Sequence, residues 1–329
     1  MALQTSEPRR YARLMSVAGQ RGSRVVDNDE MCTMIDSSDE WIRQRTGIAE
    51  RRWTAEGETP LTLSVEASRK AIERAGLTAA DIDTVIVSTI CHFRQTPALA
   101  CELAAALGMD SPAAFDISAA CAGYCYALTT AEALVRAGTA THVLIVGVEA
   151  LSHMLDTSDR GTAFLFSDGA GASVVGPSDE PAIGPAVWGS DPSQSEVIIT
   201  DDWADLAEGA EAPYIHMDGA KVFRWATTFI ADRTKDVMDA AGISPDELEV
   251  FIPHQANNRI TDSMLRHLKL PSDVVVSRDI MQMGNSSAAS VPLAMEALLE
   301  SGEARSGQTA LVIGFGAGLV FAGQVVTLP

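Results

Sequence analysis

The chain has 329 residues, 47% of them hydrophobic, which is enough for a sizeable core and too apolar for a disordered protein. Its 44 acidic residues against 24 basic ones give a formal net charge of -20, which repels phosphate backbones and excludes general nucleic-acid binding. The five cysteines, at 32, 91, 101, 121 and 125, form no C-x-x-C pair and no zinc-site spacing, so free thiols in a reducing cytoplasm are expected.

In chain order, the opening "MALQTSEPRRYAR" has no apolar run of signal-peptide length, which predicts a cytoplasmic protein. The segment "AIERAGLTAADIDTVIVST" (71–89) reads as a helix end, an Ala-Gly stop, an acidic turn and an apolar strand. "FDISAACAGYCY" (115–126) then surrounds Cys121 with alanine and glycine, residues that let a backbone or a ligand come close. A helix and a strand follow in "AEALVRAGTATHVLIVG" (131–147). Beyond an acidic stretch bearing Pro, Gly and Ser, "VMDAAGISPDELEVFIPHQ" (237–255) repeats the 71–89 pattern, its Ala-Gly pair displaced by 166 residues. "MEALLESGEARSGQTALVIG" (295–314) repeats 131–147 at an offset of 167. The uncharged tail "TALVIGFGAGLVFAGQVVTL" (309–328) could span a bilayer by length alone. Its glycines and β-branched residues predict instead a buried hairpin, and no helix follows its G-x-G-x-G as a dinucleotide loop requires.

Two correspondences at nearly one offset imply a duplicated α/β fold. We expect layers of the form α/β/α/β/α, with two similar halves about a pseudo-twofold axis. The halves are expected at 1–178, carrying the nucleophile, and 216–329, carrying His and Asn, with a connecting segment at 179–215. Adding 166 to Cys121 reaches Ser287 in "GNSSAAS", so these two turns are expected to open equivalent helices that meet at the centre.

Cys121 at a helix start is a candidate nucleophile, because unpaired N–H groups and the helix dipole favour a thiolate. The plain alternative is a small buried filler, and that role suits Cys125 one turn later. His254, in "IPHQANNR" at a strand's end, and Asn285, in "MGNSSAAS", are its candidate partners. The backbone of "GFGAG" can approach a reacting carbonyl as an oxyanion hole requires.

With "SSDEWIRQRTGIAERR", "ISAACAGYCYAL", "DRGTAFLFSDGAGA", "IPHQANNRI", "GNSSAAS" and "IGFGAG" in this order, the chain resembles the β-ketoacyl-acyl-carrier-protein (ACP) synthase III family of the thiolase superfamily. The actinobacterial members, which initiate fatty acids or prime polyketides, are the most similar. The resemblance implies that Cys121 accepts an acyl group from acyl-CoA, and that His254 and Asn285 support decarboxylation of malonyl-ACP. It implies an oxyanion hole from the backbone N–H groups of Cys121 and Ala317, and an acyl pocket bounded by Phe315. Thr96 is implied at that pocket's far wall across a homodimer interface; its plain alternative is to cap a helix beginning at Pro97. Trp41 and Arg160 are implied to sandwich the coenzyme A adenine, Arg45 to contact its phosphates and Asn257 its pantetheine arm. Arg224 and Arg259 are implied to dock the acidic carrier protein. No cofactor, metal or membrane is implied. The competing expectation is an acyltransferase of the same fold that passes the acyl group to a hydroxyl or amine without decarboxylation; Asn285 argues against it.

Overall fold

The computed structural model describes residues 6–206 and 213–329. Residues 1–5, part of the opening read for an export signal, and residues 207–212, part of the expected connecting segment, lie outside the described residues.

The first half runs through β1 (Tyr11–Arg21), β2 (Arg24–Asp27), α1 (Asn28–Met34), α2 (Asp39–Thr46), β3 (Glu50–Trp53) and α3 (Pro60–Arg74). It continues with β4 (Thr84–Ser88), α4 (Leu99–Ala106), β5 (Ala113–Ile117), α5 (Gly123–Arg136), β6 (Val143–Ala150) and β7 (Asp168–Ser178). There follow β8 (Val187–Ser190), β9 (Ile198–Thr200), β10 (Ile215–Met217), α6 (Gly219–Trp225) and α7 (Ala231–Ala241). The chain ends with β11 (Val250–Pro253), α8 (Asn258–Leu268), β12 (Val275–Val276), α9 (Ile280–Met283), α10 (Ser290–Ser301), β13 (Thr309–Gly316) and β14 (Val320–Thr327).

Two five-stranded sheets repeat one topology, β1-β7-β6-β4-β5 in the first half and β8-β14-β13-β11-β12 in the second. In each, the first two pairings are antiparallel and the last two parallel. The Ala-Gly stops read from the sequence end α3 and α7, with Gly76 and Gly242 at φ of 71° and 70°. The tail is the antiparallel β13–β14 hairpin, and among the described residues no helix is long and apolar enough to cross a membrane.

Burial explains why these strands are apolar throughout. On β6, Val143 and Ile145 face a central layer, where they pack with Tyr124 and Leu128 of α5 and Val291 and Met295 of α10. Leu144, Val146 and Val148 face the opposite side, under Leu63 and Ala67 of α3 and Leu99 of α4. In the second half, Leu311 and Ile313 of β13 face Val237 of α7 and Met264 of α8. Both sheets are covered on both faces, giving the α/β/α/β/α sandwich.

The repeat's register differs from expectation by one residue at the centre. Short 3-10 turns at Ala120–Ala122 and Ser287–Ala289 precede α5 and α10, and each opens on a residue in left-handed backbone, Ala120 at φ 43° and Ser287 at φ 48°. The counterpart of Cys121 is therefore Ala288, not Ser287; the offset is 166 between the starts of β4 and β11 and 167 between the two turns. Each turn packs on a strand glycine. A Cβ on Gly147 would lie 2.3 Å from the Ala288 carbonyl oxygen, and one on Gly314 would lie 2.8 Å from Ala122 Cα.

Candidate active site

The two central turns and the β13–β14 hairpin close one end of a cavity of about 1040 Å³, with Cys121, His254, Asn285, Ser287 and Ala317 on its walls. Gly316 shows how close the hairpin comes to the cysteine. A Cβ there would lie 2.7 Å from Cys121 Cβ and 2.8 Å from its Sγ, so only glycine fits. The approach brings the backbone N–H groups of Cys121 and Ala317 onto the sulfur, and these are the two donors expected of the oxyanion hole.

The helix-start argument predicts a depressed thiol pKa at Cys121, but the structure opposes it. Burial pushes the thiol up to about 11, and the nearby Glu149 carboxylate adds to the rise, while the Ser287 hydroxyl and the two N–H groups pull against it. The residue also sits in the 3-10 turn, two residues before α5 begins at Gly123. Its resting form is the thiol. Cys125 is fully buried beside Gly314, and burial pushes its thiol up to about 12, so it is the filler expected.

His254 follows β11 and is held on both sides. Its backbone N–H donates to the Ile313 carbonyl (2.7 Å), its Nδ1 lies 2.7 Å from Ser290 Oγ, and its ring meets Phe315 edge-on with centroids 5.3 Å apart. Ser290 Oγ already accepts the Gln255 N–H (3.3 Å). Its own proton can be donated to Nδ1, and in that arrangement the ring hydrogen lies on Nε2. Burial pulls the imidazole down to about 3, so it is neutral at physiological pH. Asn285 Oδ1 accepts the Ser287 N–H at 2.9 Å, which leaves the amide hydrogens to donate. The cavity thus holds a thiol facing two N–H groups, together with two neutral side chains that can donate hydrogen bonds.

Two family profiles match the chain: 3-oxoacyl-[acyl-carrier-protein (ACP)] synthase III over residues 115–192, and its C-terminal part over residues 238–328. The β-ketoacyl-[acyl-carrier-protein] synthase III of Streptomyces glaucescens is 56% identical over 97% of both chains. The chain belongs to the β-ketoacyl-ACP synthase III family. It is a condensing acyltransferase. The Mycobacteroides abscessus enzyme of the same name is 51% identical over 96% of this chain and 94% of its own. The crystal structure of the priming β-ketosynthase from the R1128 polyketide pathway superposes with a TM-score of 0.97 at 44% identity, covering 100% of this chain and 99% of that one.

In this synthase III fold, the cavity mouth carries most of the other expected residues. Trp41 on α2 is flanked by two guanidinium groups, Arg160 at 4.8 Å and Arg45 at 5.6 Å from its ring centroid. A planar ring stacked between Trp41 and Arg160 needs about 7 Å, so Arg160 has to swing outward to admit one. Asn257 caps α8 through the Arg259 N–H (2.9 Å) and donates Nδ2 to the Arg45 carbonyl (3.1 Å), tying α8 to α2. Arg224 and Arg259 are exposed and also border the cavity, with Arg259 lying 5.2 Å over the Phe223 ring. Thr96 lies elsewhere. It is exposed on the loop before α4 and does not line this chain's cavity; nor does it cap α4, which begins at Leu99 with Ala98 as an N-cap that makes no side-chain bond.

The sequence reading missed three polar residues behind the site. It takes Ser287 only as the counterpart of Cys121 and gives Ser290 no role. Glu149 is fully buried at the end of β6. Its signal was a lone acidic residue inside the apolar run "VLIVGVEAL".

Proposed function

We propose that the chain loads an acyl group from acyl-CoA onto Cys121 and condenses it with malonyl-ACP to give 3-oxoacyl-ACP, initiating a fatty-acid or polyketide chain. The observation that carries this reading is the single cavity holding Cys121, its two backbone donors and the neutral pair His254 and Asn285. Acyl-CoA enters past Trp41, Arg45, Arg160 and Asn257, and the Cys121 sulfur attacks its thioester. The tetrahedral oxyanion forms against the N–H groups of Cys121 and Ala317, and coenzyme A leaves. Malonyl-ACP then loses CO2; His254 Nε2–H and the Asn285 amide hold the enolate oxygen, and its carbon attacks the acyl-cysteine. Two donors fixed in neutral form favour this over simple transfer to a hydroxyl or amine, which creates no enolate. The reaction as written uses acyl-CoA and malonyl-ACP alone and calls on no cofactor. Incubation with acyl-CoA and malonyl-ACP followed by intact-mass analysis should show an acyl adduct on the wild-type protein and none on Cys121→Ala. An adduct persisting on the variant removes Cys121 as nucleophile.

The working form is a homodimer. The edge strand β5 is open on its outer side, bears the exposed Phe115, and lies beside the loop carrying exposed Phe93 and Thr96. In such a dimer the resemblance puts Thr96 at the partner's acyl pocket, where a threonine leaves room for branched or medium-length starters. Each added methylene buried there contributes about 0.8 kcal/mol. Thr96→Phe should lose isobutyryl-CoA activity while keeping acetyl-CoA activity; identical acyl-CoA profiles would place the pocket wall elsewhere.

A further inference from the structure

The mechanism above leaves unexplained where the Cys121 thiol sends its proton as the sulfur attacks. His254 is engaged by Ser290 and serves the second half-reaction. Behind Cys121, however, a polar path through Ser287 and Glu149 leads away from the cavity. The Ser287 hydroxyl contacts the Cys121 sulfur and donates to Glu149 Oε1 at 3.1 Å. Glu149 Oε2 accepts the Ile90 N–H (3.0 Å) and the Thr89 hydroxyl (3.3 Å). Ser287 is held in its left-handed conformation while its N–H is fixed on Asn285. With its hydrogen donated to Glu149, the hydroxyl oxygen keeps its lone pairs for the thiol proton.

We propose that Glu149, acting through the Ser287 hydroxyl, receives the proton that Cys121 loses as it attacks the acyl thioester. The proposal rests on Cys121 being the nucleophile. The Cys121 S–H proton passes to Ser287 Oγ as the serine's own proton passes to Glu149 Oε1, and the sulfur forms its bond to the thioester carbon. When the intermediate collapses, the carbon–sulfur bond to coenzyme A breaks. The proton returns through Ser287 to the departing sulfur, leaving coenzyme A as a thiol and Glu149 as a carboxylate. Glu149 is thus a positioning residue for a proton, with Ser287 as the group in contact with the reacting atom.

The surroundings suit this task. The groups that hydrogen-bond to Glu149 are neutral: the Cys91 thiol, Thr89, Ser287 and the Ile90 N–H. The titratable groups facing it are the thiols of Cys91, from the loop after β4, and Cys121, from the turn before α5, while Asp168 on β7 acts on Cys91. Burial pushes the Glu149 carboxyl up to about 7 against those donors, a value at which it can take and return a proton.

The test is the rate of acyl-CoA self-acylation from pH 5.5 to 9, read by quenched-flow intact mass on wild type, Glu149→Gln and Ser287→Ala. The relay predicts a wild-type rate that rises and levels near pH 7. Both variants should be slower by about 10²-fold at pH 7, with rates still climbing at pH 9. A purely electrostatic role has the opposite sign, because removing a negative charge beside Cys121 eases thiolate formation. A Glu149→Gln rate equal to or above wild type therefore overturns the proposal. Malonyl-ACP decarboxylation by the same variants reports that the cavity is intact. Should Glu149→Gln fail to fold, Ser287→Ala decides, a wild-type rate overturning the relay. A wild-type protein that carries no adduct on Cys121 overturns the proposed function first.

Discussion

His254 and Asn285 are held by neighbours that set their hydrogens before substrate arrives, so each should matter to one half-reaction only. His254→Ala and Asn285→Ala are expected to acylate Cys121 at near wild-type rate. Release of CO2 from malonyl-ACP should drop by about 10² to 10³-fold for each, the usual loss for one preorganised donor. Normal CO2 release by both would remove them from the chemistry. The buried imidazole also affects stability. Its folded pKa lies below the ordinary 6.5, at about 3, so as pH falls below 6.5 the unfolded chain takes up a proton that the folded one refuses. Stability is then lost at up to about 1.4 kcal/mol per pH unit down to the folded value. Melting curves at pH 7 and pH 5 should therefore show a smaller drop for His254→Ala than for wild type, and equal drops would mean that the ring is already charged in the fold. Cys121, His254 and Asn285 stood out in the sequence because each sits in a short, chemically unusual run. Glu149 did not, since a lone acid at the end of an apolar strand gains meaning only when Ser287, 138 residues away, lands beside it.

At the level of elements, the β13–β14 hairpin is the part that fixes the distance between donor and sulfur. Gly316→Ala places a methyl group where Cys121 already is, and the hairpin has to retreat, taking the Ala317 N–H with it. Acylation should fall by about 10²-fold or more, the loss of one oxyanion donor, with little change in far-UV circular dichroism. Retention of wild-type acylation would mean that the Ala317 N–H does not serve the oxyanion. The elements themselves were largely readable. "TVIVST", "HVLIVG", "EVFIP" and "ALVIG" became β4, β6, β11 and β13 because both faces of each are covered, and the Ala-Gly stops ended α3 and α7 as their pattern required. The one-residue slip at the centre was not readable. Ala120 and Ser287 are matched only by their shared left-handed backbone, which neither residue type advertises and which costs about 1–3 kcal/mol each. The role of β8 was equally hidden, since it finds β14 only in the folded sheet.

Across the whole molecule, a formal charge of -20 sets the condition for meeting an acidic carrier, and the exposed Arg224 and Arg259 at the cavity rim offer the local exception. Arg224→Glu and Arg259→Glu should raise KM for malonyl-ACP far more than for malonyl-pantetheine, and added salt should narrow the gap between wild type and variants. Equal effects on the two substrates would move docking to another face. The halves are further tied by Glu296 of α10, which is buried against the Gly19 N–H (2.6 Å) and Arg21 (2.9 Å) of the first half. The reciprocal seating of the two central turns, each on the other half's strand glycine, makes the seam work like a vernier. Cys121 rides on one scale, and Ala317, His254 and Asn285 on the other. A slide of a fraction of an ångström between the halves leaves every sheet and helix whole while it detunes every reacting distance together. Substitutions deep beneath α10, far from any substrate, will therefore register as altered turnover before they register as altered folding.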